Sequence, residues 1–189
     1  MLLSLIMRPP LTSVGALLPE IKVSLGLAAW QVSLIAALPV LLFGFGAFFS
    51  PFLVRVFGVN RSIFILTILL TAAIAARVAG DFALFAVGTL AIGFAIAVNN
   101  VLLPSFVRHE FSATIPMATG AYAAIFGLSA SAAAALAVPM SMALGSWRFS
   151  LLLWGAIALA ASVAWLPFAR MSHGMHSSAQ SDFGAERMA

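Results

Sequence analysis

Cysteine is absent from this chain of 189 residues, acidic side chains number five, and there is a single tyrosine. Without cysteine there are no disulfides and no thiolate metal sites, and cysteine usage gives no reading of the redox compartment. Charge is scarce altogether, at 7% of residues, against about 25% in a soluble domain. With 63% hydrophobic residues and a mean hydropathy of +1.15, the composition is that of a polytopic membrane protein. Glu20, Asp81 and Glu110 flank apolar runs rather than sitting deep within them, so no carboxylate offers itself for proton coupling. The sequence shows no nucleophile–base pair, no phosphate-binding glycine loop and no paired carboxylates, so neither an enzyme nor a cofactor is expected. The net charge of +4 is spread over the loops. It suits contact with anionic lipid heads, and no basic patch points to nucleic acid.

What is abundant is long apolar sequence, cut by the few charges. The first run, Met1 to Pro19, carries an arginine at position 8. A span starting after Arg8 needs Glu20 and Lys22 to reach the ~20 residues of a crossing, so the first helix is expected over residues 1–19. Arg8 then lies roughly 10 Å below the membrane surface, at 1.5 Å per residue. The run lacks a basic n-region and further spans follow it, so it reads as a span rather than a signal peptide. Five more helices are expected: Trp30 to Phe49, Ser62 to Gly80, one between Asp81 and Arg108, one within Ser112 to Leu144, and Phe149 to Phe168. Residues 1–168 thus form one six-helix transmembrane domain. Residues 169–189 form a polar cytoplasmic tail of disordered composition.

Two features recur in the second half. Leu17-Leu18-Pro19 followed by Lys22 matches Leu102-Leu103-Pro104 followed by Arg108, 85 residues on. Phe57-Gly58-Val59-Asn60-Arg61 matches Leu144-Gly145-Ser146-Trp147-Arg148, 87 residues on. Three helices are therefore followed by three similar ones, and an odd number of crossings turns the second set upside down. The expected fold is all-α and integral to the membrane, with six transmembrane helices as two inverted three-helix repeats, a device of secondary transporters. Arg55, Arg61, Arg108 and Arg170 fall on one side, and Lys22, Arg77 and Arg148 on the other. That bias places both termini in the cytoplasm, and the expected location is the cell inner (plasma) membrane.

An arginine near a bilayer centre costs about 2.5 to 3.5 kcal/mol on the most lenient scale, so its default reading is function. Asn99, Asn100 and Tyr122 fall at a depth comparable to Arg8. A fixed cation, two amides and a phenol at one level would form a substrate site for an anion. The competing reading has the asparagines as interhelical packing bonds and Tyr122 as an interface anchor. Arg77, three residues from its helix end, is expected to snorkel outward. Pro9, Pro10, Pro39, Pro104 and Pro139 interrupt helix hydrogen bonding as hinges or local kinks. The small-residue run Ser129 to Ala137 is a close-packing face. His173 and His176, two potential ligands alone, do not make a metal site.

Met7-Arg8-Pro9-Pro10-Leu11-Thr12-Ser13-Val14-Gly15, with Leu17-Leu18-Pro19-Glu20-Ile21, resembles the first helix of the cyanate permease and nitroimidazole transporter family of the major facilitator superfamily. So do Pro39-Val40-Leu41-Leu42-Phe43-Gly44, Asn99-Asn100-Val101-Leu102-Leu103-Pro104 and Met117-Ala118-Thr119-Gly120-Ala121-Tyr122. The likeness covers positions 7 to about 168. The superfamily's glycine–aspartate–basic loop after helix two is matched here only by Gly58 and Arg61; Pro51 and Arg55 stand where glycine and aspartate are usual. The resemblance implies alternating-access transport of a small anionic or polar organic solute, cyanate-like or otherwise, with helices one and four lining the cavity. Such transporters have twelve helices, and this chain resembles the amino-terminal six, beginning inside helix one. It is expected to be a truncated product, or a half-transporter whose partner is a second six-helix half, either itself or a separate chain. The alternative is a membrane scaffold or assembly subunit without transport of its own.

Overall fold

The computed structural model describes residues 2–110 and 115–170, so the expected tail, 169–189, lies outside the described residues from 171 on, with His173 and His176, while its first two residues belong to the last helix. Among the described residues seven helices follow one another: α1 (Leu2–Met7), α2 (Pro9–Leu25), α3 (Ala29–Phe57), α4 (Val59–Ala79), α5 (Phe82–Glu110), α6 (Ile115–Leu144) and α7 (Trp147–Arg170). Five of these, α3 to α7, contain segments long and apolar enough to cross a membrane. Helices suit these runs because each satisfies its own backbone hydrogen bonds where lipid offers none.

The first helix differs from the expected continuous span over residues 1–19. It is broken at Arg8 and extends beyond Pro19 to Leu25. Two consecutive prolines cause the break. Neither Pro9 nor Pro10 has an N–H, so the Leu5 and Ile6 carbonyls lose their usual i+4 donors. Proline is tolerated in a first turn, and α2 starts there. The Arg8 carbonyl accepts from the Leu11 and Thr12 amides at 3.0 and 3.1 Å and from Thr12 Oγ1 at 3.2 Å. The extension to Leu25 carries Glu20 to polar partners. Its carboxylate accepts from Ser141 Oγ on α6 at 2.8 Å and from the Trp147 amide, at the start of α7, at 3.2 Å. Glu20 is therefore a clasp between three helices rather than a plain flanking charge. Replacing it by alanine frees a helix-start amide, a loss of about 1 kcal/mol on the scale of N-cap removal. A lower melting temperature of the detergent-solubilised protein is the expected reading.

Packing is uneven. One core joins α1, α4, α5 and α7 through side chains such as Ile6, Leu70, Ile74, Ile96 and Ala158. A second joins α2, α3, α6 and α7 with the ends of α4 and α5, around Leu17, Ile21, Ile35, Phe85 and Trp147. At Gly46 the α3 and α5 backbones approach so closely that an added Cβ would overlap the Ala97 side chain and lie 2.9 Å from its carbonyl carbon. By contrast, α3 turns Val40, Phe45, Phe48 and Phe52 outward, and α6 does the same with Met117, Leu128 and Met142. In a bilayer such exposed apolar faces meet lipid or other helices rather than water.

Candidate functional site

The break in the first helix presents Arg8 sideways into the bundle. The residue is half-buried. Its guanidinium lies over the Phe126 ring of α6, 4.7 Å from the centroid, a cation–π contact strengthened where water is scarce. Among the described residues no hydrogen bond holds this guanidinium, so its donors remain available. Tyr122, one turn before Phe126, stacks on the same ring at 5.8 Å between centroids. Arg8 and Tyr122 thus converge on one aromatic. Phe126 was invisible as a site residue in the sequence, where it is one phenylalanine among sixteen.

The asparagines sit differently. Asn99 is fully buried, and among the described residues no group pairs with either end of its amide. An unmet buried polar group costs about 1 to 3 kcal/mol, so Asn99 is not acting as the interhelical bond that packing alone would require. Asn100, next to it on α5, is half-buried. Substituting Asn99 by leucine, similar in volume and apolar, is expected to raise the melting temperature by removing two orphaned groups. The check is thermal unfolding of the variant beside wild type in the same detergent.

Arg77 requires a correction. Far from snorkelling outward, it is 1% exposed. Its Nε and Nη2 donate to Thr89 Oγ1 on α5 at 3.2 and 2.9 Å, and Nη1 donates to the Pro10 carbonyl at 2.7 Å. Its guanidinium also lies 5.0 Å from the Phe85 ring centroid. The inward course has a physical reason: a charge near a span end needs polar partners, and here the first turn of α2 and the Thr89 hydroxyl supply them. The hydroxyl in turn donates to the Phe85 carbonyl at 2.7 Å. Arg77 thereby ties α4 and α5 to the residues that break the first helix.

A cavity of about 300 Å³ opens between α2, α3, α4 and α5, and its lining includes Arg8, Thr12, Arg77 and Thr89. Of the residues expected at the site, Arg8 lines this space; Asn99, Asn100 and Tyr122 do not. The sequence held one clue to Arg77, a second arginine inside an apolar run, and none to Thr89. Among the described residues no group of three or more His, Asp or Glu side chains could hold a metal ion.

No family model matches the chain. Curated relatives do. The chain is 33% identical over 162 residues to the 2-nitroimidazole transporter of Escherichia coli and 31% identical over 162 residues to the uncharacterized transporter YycB of Bacillus subtilis. It is 28% identical over 165 residues to the cyanate transport protein CynX of Escherichia coli. These alignments cover 85 to 87% of this chain but only 40 to 43% of each relative. The chain therefore spans about two fifths of the length of the transporters it matches. Among the described residues the chain is helical with five long apolar helices, and over most of its length it is similar to transporters of the major facilitator type.

Proposed function

We propose that the chain takes part in secondary active transport of a small anionic or polar organic solute by alternating access, as the amino-terminal half or a truncated form of a facilitator. The observation that carries the reading is Arg8, a guanidinium that no hydrogen bond holds among the described residues, at a proline break, inside a helical bundle and beside a cavity. Burying a fixed charge with its donors unspent is costly, and a bound anion would repay it with paired, charge-assisted hydrogen bonds. Asn99, Asn100 and Tyr122 complete the proposed binding set, with Tyr122 beside Arg8 on Phe126 and the amides on α5.

In the same reading α1 and α2 together make the first of six spans, and the second three spans repeat the first three inverted. The packing pattern supports this. A repeat exchanging spans one to three with four to six would pair α4 with α7 symmetrically and make the α3–α5 contact the counterpart of α2–α6. All three pairs pack against each other. Both termini are placed in the cytoplasm, in the cell inner membrane. The outward apolar faces of α3 and α6 would receive lipid and a second six-helix half, from another copy or a separate chain. The 2-nitroimidazole and cyanate transporters among the relatives fit a small polar or anionic solute.

The test is uptake of a panel of small labelled anions into proteoliposomes holding this chain alone. Saturable uptake of any member is the result expected of a self-pairing half. Uptake only after a separate six-helix half is supplied fits the truncated form. If verified, inserted protein moves nothing under either condition, the scaffold alternative stands instead.

A further inference from the structure

The cavity between α2, α3, α4 and α5 has two arginines in its lining and no acidic residue. We propose that it is a binding site for a small organic monoanion with an apolar body, a carboxylate or similar group on a ring or short chain, and that Arg77 is its second cation beside Arg8. The inference rests on the reading of Arg8 as the partner of an anion, and it adds both a residue and a substrate class to that reading.

Charge is the first argument. Arginine stays protonated in proteins. Every hydrogen bond that Arg77 makes ends on a neutral oxygen, the Thr89 hydroxyl or the Pro10 carbonyl, so none of them cancels its charge. Two uncancelled cations thus lie at one cavity, and an anion bound there relieves both. Their roles differ. Arg77 is held by three bonds and fully buried, so it contributes a fixed field. Arg8 has no such bonds among the described residues and can close its fork on the ligand.

Size and lining supply the second argument. The cavity of about 300 Å³ holds roughly ten water molecules at about 30 Å³ each. A triatomic anion such as cyanate would leave most of it unfilled. The remaining wall is largely apolar, with Leu11 and Leu18 from α2 and Ile35, Pro39 and Phe43 from α3. A compact, strongly hydrated anion gains nothing from such a surface. A hydrocarbon or aromatic body gains in proportion to the apolar area it buries, while its charged end lies toward the arginines.

The experiment is equilibrium binding by titration calorimetry to the purified full chain in detergent micelles, with benzoate, benzamide and cyanate as probes. Wild type is expected to bind benzoate saturably and at least tenfold more tightly than either of the others. Arg77→Gln removes the charge but keeps amide donors for the Pro10 carbonyl; it should weaken benzoate about tenfold and leave benzamide unchanged. Ala36→Phe enters the cavity from an exposed position on α3 and touches neither charge. It should weaken benzoate at least tenfold, and it keeps the test decisive if Arg77→Gln does not fold. Absent benzoate binding, equal affinity for cyanate and benzoate, or benzoate binding indifferent to Ala36→Phe each overturn the inference. Anion binding that ignores Ala36→Phe but is lost in Arg8→Ala leaves the proposed function standing without this site. Anion binding that survives Arg8→Ala removes that function as well.

Discussion

Replacing Arg8 by alanine should lower affinity for any transported anion by about 100-fold while leaving the fold as stable as wild type or slightly more so. The two effects separate because Arg8 contributes little to the packing it interrupts. Its guanidinium touches the Phe126 ring face at 4.7 Å, and cation–π contacts are worth about 0.5 to 2 kcal/mol. Keeping a cation inside a membrane bundle costs about as much or more, so the truncation roughly balances for stability. The helix break is untouched, since Pro9 and Pro10 cause it. For a bound anion the balance is different. A hydrogen bond to a charged group is worth about 1.5 to 3 kcal/mol, and an arginine fork supplies two. Arg8→Lys separates charge from geometry: it keeps the cation but not the planar fork, so an intermediate loss of about tenfold is expected. Parallel binding isotherms and melting curves decide the matter. A large fall in melting temperature for Arg8→Ala would mean that the residue is structural, and equal affinities for wild type and Arg8→Ala would remove it from the site.

Gly88→Val should strongly damage the fold, lowering stability by about 3 kcal/mol, the upper end of overpacking costs. An ideal Cβ at Gly88 would lie 2.8 Å from the Ala73 carbonyl oxygen, 2.9 Å from Arg77 Cβ and 3.1 Å from the Arg77 amide nitrogen. Two of these three neighbours are backbone atoms of α4, which cannot swing aside as a flexible side-chain end would. The helices must part, and parting them moves Arg77 relative to Thr89, the residue after the glycine. The three Arg77 hydrogen bonds would weaken together, leaving a fully buried guanidinium short of partners. Gly127→Ala is the matched comparison. A Cβ there meets nothing within 4 Å, so the variant should gain the usual helix advantage of alanine over glycine, about 1 kcal/mol or less. Thermal unfolding in one detergent reads both. If Gly88→Val melts with wild type, the α4–α5 contact is looser than described and the Arg77 clamp loses its geometric basis.

The placement of Arg8 illustrates how far local reasoning reaches. Its position in an apolar run marked it as a costly charge, and Pro9 and Pro10 marked a weakness in the same helix. Both statements need only the bilayer's intolerance of charge and proline's missing N–H. That the two coincide to aim the guanidinium at Phe126 depends on where α6 lies, and no local pattern specifies that. Tyr122 could be matched in depth to Arg8 by counting residues along each helix, yet the ring they share required the helices to be docked. Arg77 shows the opposite failure. Counting from the helix end made outward snorkelling the economical choice, because its inward partners, Thr89 and the Pro10 carbonyl, lie 12 and 67 residues away in sequence. Asn99 and Asn100 are adjacent and chemically alike, but only Asn99 is sealed in without partners.

The sequence by itself determined that this is a helical membrane protein, where most of its helices run, and which superfamily it resembles. Those properties follow from composition and from the length of apolar runs, which are summed over many residues and survive errors at any one. Only the tertiary structure decided that the first helix breaks at Arg8, that Glu20 clasps α6 and α7, and that Arg77 turns inward to share a cavity with Arg8. Each of these depends on single polar atoms finding partners across helices. In lipid such atoms have no water to fall back on, so the docking of the helices, rather than local preference, sets where they point.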